Sequence, residues 1–148
     1  MTVSPEPDSP RVGIVDDDDA IRDLIAEVIA DEGFAAVPWD GLLAPEEFVA
    51  REQPELLILD LRLGTHRQGE PSVNALLSVR DAAGGVPTIV CTADILFLTA
   101  HGDELAEAGF AVLTKPFELD DLLNLVDDLR RQLVGPVSTP HDRAAAQD

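Results

Sequence analysis

The sequence predicts an α/β fold in which a doubly wound, five-stranded parallel sheet is built from five successive β–α units. Three observations predict it. Short apolar runs alternate with amphipathic stretches from Arg11 to Leu133. Runs such as Leu56–Asp60, LLILD, stay apolar until they end in acid, the pattern of a strand buried on both faces. The stretches between the runs have helical length, which a crossover between parallel strands requires.

The elements follow in order. Arg11–Asp16, RVGIVD, is the first strand. Ala20–Glu32 is a helix, because Ile21, Leu24, Ile25, Val28 and Ile29 keep the i, i+3, i+4, i+7, i+8 spacing of one face. Asp18 or Asp19 suits its N-cap, and Gly33 suits the C′ position that ends it. Phe34–Pro38 is the second strand, with Pro38 pointing to a sheet edge. Pro45 opens a helix through about Glu52, in the first-turn position proline tolerates. Leu56–Asp60 is the third strand, and a glycine-containing loop, Leu63–Glu70, follows it. Pro71–Ala83 is a helix that buries Val73, Leu76 and Leu77 and stops at Gly84-Gly85. Val86–Cys91 is the fourth strand. Asp94–Ala108 is a helix with an irregularity expected at Gly102. Phe110–Thr114 is the fifth strand. Glu118–Leu133 is the clearest helix, with Leu119, Leu122, Leu123, Val126, Leu129 and Leu133 on one side, and Gly135-Pro136 should end it. The domain therefore spans residues 11–134, between an N-terminal tail, 1–10, and a C-terminal tail, 135–148. The chain shows no internal repeat, coiled coil or second domain. Its tails are too short for a DNA-binding or catalytic output module.

Composition narrows the function. Among 148 residues, 29 Asp+Glu stand against 10 Lys+Arg, for a formal net charge of −19. That balance argues against nucleic acid or an anionic membrane surface as the main partner, since both need basic patches. It leaves room for cations, basic partner surfaces and phosphoryl donors brought in with a metal. No apolar run approaches the roughly 18 residues of a membrane span. The start, Met1–Pro10, is polar and unlike a secretory signal. The single cysteine, Cys91, makes no internal disulfide, so a reducing cytoplasm is the simplest compartment. Only one of the basic residues is a lysine, Lys115, directly before a proline.

In an open parallel α/β sheet, ligands bind at the carboxyl ends of the strands. Asp16-Asp17-Asp18-Asp19 ends the first strand, Asp60 the third, Thr92-Ala93 the fourth and Lys115-Pro116-Phe117 the fifth. Carboxylates, a hydroxyl and an ammonium thus converge on one edge. Two carboxylates ~4 Å apart repel by roughly 4 kcal/mol at an effective dielectric of 20. Three together call for a cation, and hard divalent ions such as Mg²⁺ prefer oxygen ligands. An Asp carboxylate can act as a phosphoryl nucleophile, and that transfer depends on positioning and charge neutralisation more than on acid–base work. Lys115 and the Thr92 hydroxyl are suited to hold two phosphoryl oxygens.

The stretches VDDDDAIRDLIAEVIADEGF, PELLILDLRL, VPTIVCTA and VLTKPFELDDLL, in this order and each at a strand end, resemble the receiver domain of two-component response regulators, the CheY-like family. The resemblance runs from about Arg11 to Leu133. It implies a flavodoxin/CheY-like sheet of strand order 2-1-3-4-5. It implies that Asp60 is the phosphoacceptor and that Mg²⁺ is held by Asp16, Asp17, Asp60 and the backbone carbonyl of Arg62. Thr92, with Ala93 beside it, would be the switch position, and Lys115 would pair with the phosphoryl group. The Lys115–Pro116 bond would be cis, a form that only proline makes accessible at modest cost. Asp18 and Asp19 receive no catalytic role. The implied protein is a stand-alone, cytoplasmic phosphoprotein. Its phosphoryl donor is a histidine kinase or histidine phosphotransfer protein, and a downstream protein reads the switched state. It is not an enzyme in the turnover sense.

Three features depart from the family pattern. Val112 stands where many receivers carry Tyr or Phe, which puts output through that ring in doubt. The loop after Asp60 reads LGTHRQGEP, with Gly64 where a proline is usual. Ile95, Leu96, Phe97 and Leu98 are consecutive apolar residues, so at least one should face outward and serve a partner or a homodimer. Two other readings stay open. The chain could be a phosphorylation-independent pseudo-receiver that only binds or dimerises. The other is an aspartyl phosphatase of the haloacid-dehalogenase type, which needs an acid where Arg62 stands. His66, His101 and His141 read as isolated, Cys91 as a small buried hydrophobe, and Trp39 as a cap on the core.

Overall fold

The computed structural model describes residues 9–61 and 72–138, with residues 132–138 as helical backbone. Ten elements alternate along the chain: β1 Arg11–Val15, α1 Asp19–Asp31, β2 Ala35–Pro38, α2 Pro45–Glu52, β3 Leu56–Asp60, α3 Val73–Ala82, β4 Thr88–Thr92, α4 Ile95–Glu107, β5 Ala111–Thr114 and α5 Leu119–Ser138. All strand pairs are parallel, and the order is β2-β1-β3-β4-β5. The predicted α/β architecture and strand order are therefore present.

The sheet divides the core into two layers because successive side chains of a strand point to opposite faces. Val12, Ile14, Leu56, Ile58 and Ile89 face α1 and α5, where they meet Ile25, Ile29, Leu122 and Val126. Val15, Leu57, Leu59 and Val90 face the other way, onto Phe48 and Val49 of α2, Leu76 and Val79 of α3, and Phe97 and Leu105 of α4. The five residues of β3 and the five of β4 are all buried, which explains the unbroken apolar runs. Each such Leu or Ile contributes roughly 1.5–3 kcal/mol by leaving water.

Local chemistry sets the ends. Asp18 caps α1, its carboxylate accepting from Ala20 N–H at 3.0 Å and Ile21 N–H at 3.2 Å. Gly33, at φ +97°, lets the chain turn back into β2. Trp39 packs on the α2–α3–α4 layer and donates its indole N–H to the Leu43 carbonyl at 2.9 Å.

Several details differ from the sequence-based expectations. Leu24 is exposed, because only Ile25 and Ile29 lie fully under α1 while Ile21 and Val28 flank them. α4 runs without interruption through Gly102; burial of Phe97 and Leu105 outweighs the roughly 1 kcal/mol that glycine costs a helix. β4 begins at Thr88, since Pro87 has no N–H to donate, although its carbonyl still accepts from Leu57 N–H at 3.0 Å. α5 does not stop at Gly135-Pro136 but continues to Ser138, so residues 135–138 extend the helix instead of opening a tail. A proline there removes one hydrogen bond, yet its fixed φ is itself helical. Pro10 also belongs to the fold, accepting the Ala35 N–H at 3.0 Å. No helix among the described residues is long and apolar enough to cross a membrane.

Candidate functional site

Of the four buried polar residues among those described, three lie at the carboxyl ends of the central strands; the fourth, Thr88, begins β4. Asp16, Asp60 and Thr92 are 3%, 4% and 3% exposed, although burying a charge or hydroxyl costs free energy unless it is partnered. Asp16 follows β1 directly. Its Oδ1 accepts the Asp18 N–H at 2.9 Å, which turns the chain from β1 into α1. Its Oδ2 accepts from Lys115 Nζ at 3.1 Å. The same ammonium lies 3.8 Å from Asp60 Oδ2 at the end of β3. Lys115 is brought there by β5: its N–H donates to the Thr92 carbonyl at 2.7 Å, and the next peptide bond, Lys115–Pro116, is cis.

Burial disfavours the Lys115 ammonium, but the Asp60 charge and the Asp16 hydrogen bond together outweigh it, and its pKa lies above the ordinary lysine value. The ammonium is thus firmly charged at neutral pH. Cys91, which pairs in register with Asp60, shows the opposite balance. Burial pushes its thiol up to about 12, with Lys115 lowering it and the two acids raising it further, so it stays a neutral thiol.

Asp17 is exposed at the rim. One oxygen from each of Asp16, Asp17 and Asp60 lies within 4.8 Å of the others. Three carboxylates against one ammonium leave an excess of negative charge in a small volume. All-oxygen donors, part buried and part open to solvent, suit a hard divalent cation that keeps some of its waters. Mg²⁺ fits this donor set. The neighbouring acids do other work: Asp18 is the α1 cap, and Asp19 pairs with Arg22 at 3.0 Å.

Thr92 ends β4, and its Oγ1 accepts the Asp94 N–H at 2.8 Å. Asp94 in turn caps α4, its carboxylate accepting from Phe97 N–H at 2.9 Å. The Thr92 hydroxyl is therefore one hydrogen bond away from the start of a helix. Sequence reasoning did not find this link. The signal for it was a Thr-x-Asp ahead of an apolar helical run, a local side-chain-to-backbone motif. Ala93 lies exposed between them. Val112 is half-buried and packs on the α2–α3–α4 layer. Arg62, Gly64, His66 and the rest of the 62–71 stretch lie outside the described residues. At the other end of the strands, an open groove of about 580 Å³ is lined by Pro10, Phe34, Leu123 and Arg130 among others, and it shares no residue with the acidic cluster.

The chain is similar to known proteins in both sequence and fold. The family model for the response regulator receiver domain matches residues 12–127. SphR, an alkaline phosphatase synthesis transcriptional regulatory protein from Synechococcus elongatus, is 34% identical, with 95% of this chain and 57% of that protein covered. The DNA-binding transcriptional regulator NtrC from Proteus hauseri is 27% identical over 123 residues, which cover 79% of this chain and 24% of that one. The chain thus spans between about a quarter and about half of these relatives' length. Among solved structures, a CheY-like receiver domain protein from Methanospirillum hungatei superposes with a TM-score of 0.66 at 24% identity, covering 84% of this chain and 97% of that one. The chemotaxis response regulator CheY4 of Vibrio cholerae gives a TM-score of 0.61 at 20% identity, covering 82% of this chain and 98% of that one.

Proposed function

The chain belongs to the response regulator receiver domain family, and from that premise we propose that it takes a phosphoryl group onto Asp60 and uses it to switch a protein contact. The observation that carries the reading is Lys115, whose ammonium stands 3.1 Å from Asp16 and 3.8 Å from Asp60 at the carboxyl edge of the sheet. An Asp60 carboxylate oxygen attacks the phosphorus of a phosphohistidine; the P–N bond breaks as the P–O bond forms, and the imidazole leaves. Lys115 neutralises one of the phosphoryl oxygens as negative charge gathers there. Asp16, Asp17 and Asp60 are the residues that would hold Mg²⁺, with the Arg62 carbonyl a further donor; once bound, the ion neutralises charge on the transferring group. The donor is a histidine kinase or a histidine phosphotransfer protein in a reducing cytoplasm.

The response runs through Thr92. When the Thr92 side chain rotates and carries its oxygen away to donate to a phosphoryl oxygen, the bond from Asp94 N–H is given up, which frees Asp94, the residue whose carboxylate caps α4, to shift. This route needs no aromatic ring on β5, so Val112 does not block it. A pre-existing balance between two positions of α4 is what the phosphoryl group shifts.

Incubation with acetyl phosphate and Mg²⁺, followed by phosphate-affinity electrophoresis, tests the reading. Wild type should shift in mobility and Asp60→Asn should not. No shift in wild type, under conditions where another receiver shifts, would leave a binding module with a receiver fold. Steady release of phosphate from small phosphoesters would instead point to a phosphatase.

A further inference from the structure

Among the described residues, α4 carries the most prominent exposed apolar pair on a helix: Ile95 is 56% exposed and Leu96 is 83% exposed, while the next residue, Phe97, is buried. Leu96 shares a helical stripe with Asp103 and Glu107, at i+7 and i+11, and both acids are exposed. The helix has no Lys or Arg. Its one basic side chain, His101, is engaged with Glu104 at 2.6 Å. The helix has no cation of its own in the last turn, but Arg80 of α3 donates to the Ala108 carbonyl and offsets the dipole there, so the negative character of the face rests on Asp103 and Glu107 themselves. The face thus offers an apolar anchor at one end and two exposed carboxylates, Asp103 and Glu107, toward the other.

We propose that this face docks a basic, amphipathic segment of a different protein, which seats an apolar side chain over Leu96 and Ile95 and directs Lys or Arg toward Asp103 and Glu107. The proposal names the partner chemistry for the α4 response described above and rests on that reading. Charge complementarity selects this occupant over a second copy. A two-fold contact between copies uses the same patch on both sides. Each α4 carboxylate would then face another carboxylate or the apolar pair, never a lysine or arginine of the facing α4. Such juxtapositions act against association, while a basic partner gains both attraction and steering.

The test is an amide NMR titration of the full chain with two synthetic amphipathic helical peptides, one of leucine and lysine and one of leucine and glutamate. The Leu/Lys peptide should give saturable shifts centred on Ile95–Glu107, and the Leu/Glu peptide none. Leu96→Asp should weaken the Leu/Lys peptide at least tenfold, although it makes the protein more acidic; the residue is exposed enough that the core is untouched. Unchanged or tighter binding by Leu96→Asp, or shifts scattered over all acidic surfaces, would mean non-specific charge attraction and would overturn the proposal. So would a concentration-dependent dimer in analytical ultracentrifugation that Leu96→Asp abolishes, since the occupant would then be a second copy. The patch is exposed without phosphorylation, so the titration is run on Asp60→Asn as well. Loss of phosphoryl uptake alone would sink the switch and leave this result standing.

Discussion

Replacing Lys115 by Met removes the ammonium from between two carboxylates that are almost wholly buried. At an effective dielectric of 20, the 3.1 Å and 3.8 Å separations correspond to about 5 and about 4 kcal/mol of gross attraction. The burial of Lys115 itself subtracts from that sum. Removing one partner of a buried pair costs about 3–5 kcal/mol in practice, because the other charge is left uncompensated. With 23% of the lysine side chain still in water, the lower end applies, about 3 kcal/mol. Urea denaturation at neutral pH in EDTA should report it: with a slope of about 1–3 kcal/mol per M, the midpoint falls by about 1–3 M. Adding MgCl₂ should recover part of the loss, since a divalent cation replaces the missing charge. Asp16→Asn in the Lys115→Met background should recover part of it without metal, by deleting one of the stranded carboxylates. A Lys115→Met protein within about 0.5 kcal/mol of wild type in EDTA would refute the reasoning, because surface-like screening would then govern the cluster.

Further outcomes follow from other contacts. Gly13→Ala should cost about 1–3 kcal/mol in thermal denaturation, because the new Cβ would sit 3.1 Å from the rigid Pro54 ring and 3.2 Å from Leu57; an unchanged melting temperature would show that β1 can move. Arg80→Met should cost about 1–2 kcal/mol in urea, since the guanidinium donates to the Ala108 carbonyl at 2.5 Å and lies 4.5 Å over the Phe110 ring, tying α3 to the end of α4. Asp127 is held below its ordinary carboxyl pKa by a hydrogen bond from Arg130 and by the Arg131 charge, against some desolvation. A lowered folded pKa means its stabilisation is present above the unfolded pKa and fades as pH falls through the folded one. The small difference in melting temperature between Asp127→Asn and wild type should therefore vanish on acidification, and a difference constant with pH would contradict this.

Much of the architecture was legible because burial on two faces writes itself into β3 and β4 as unbroken apolar runs, and because capping residues announce helix ends. The residues that meet at the carboxyl edge were legible for a related reason. Each stands just after an apolar run, and the topology brings those run ends together. What escaped was set by packing rather than by local pattern. Leu24 keeps the helical spacing of α1, yet only two positions of that face lie fully beneath it. Gly102 and Gly135-Pro136 carry helix-breaking chemistry that the surrounding helix overrides. The bond from Asp94 N–H to Thr92 lies between elements, where periodicity carries no information.

The outer strands of the sheet have a further consequence. β2 and β5 are the edges, and each is only four residues long, whereas β1, β3 and β4 inside have five. β2 also ends in Pro38, which has no N–H to offer. Long, flat, uncharged edges are the templates on which foreign strands add and fibrils begin. Here the longest ribbon that an intruding strand could zip onto is four residues, and a chain of net charge −19 repels its own copies before they reach it. LLILD and TIVCT, apolar and fully buried, are strands that the topology seals in the middle.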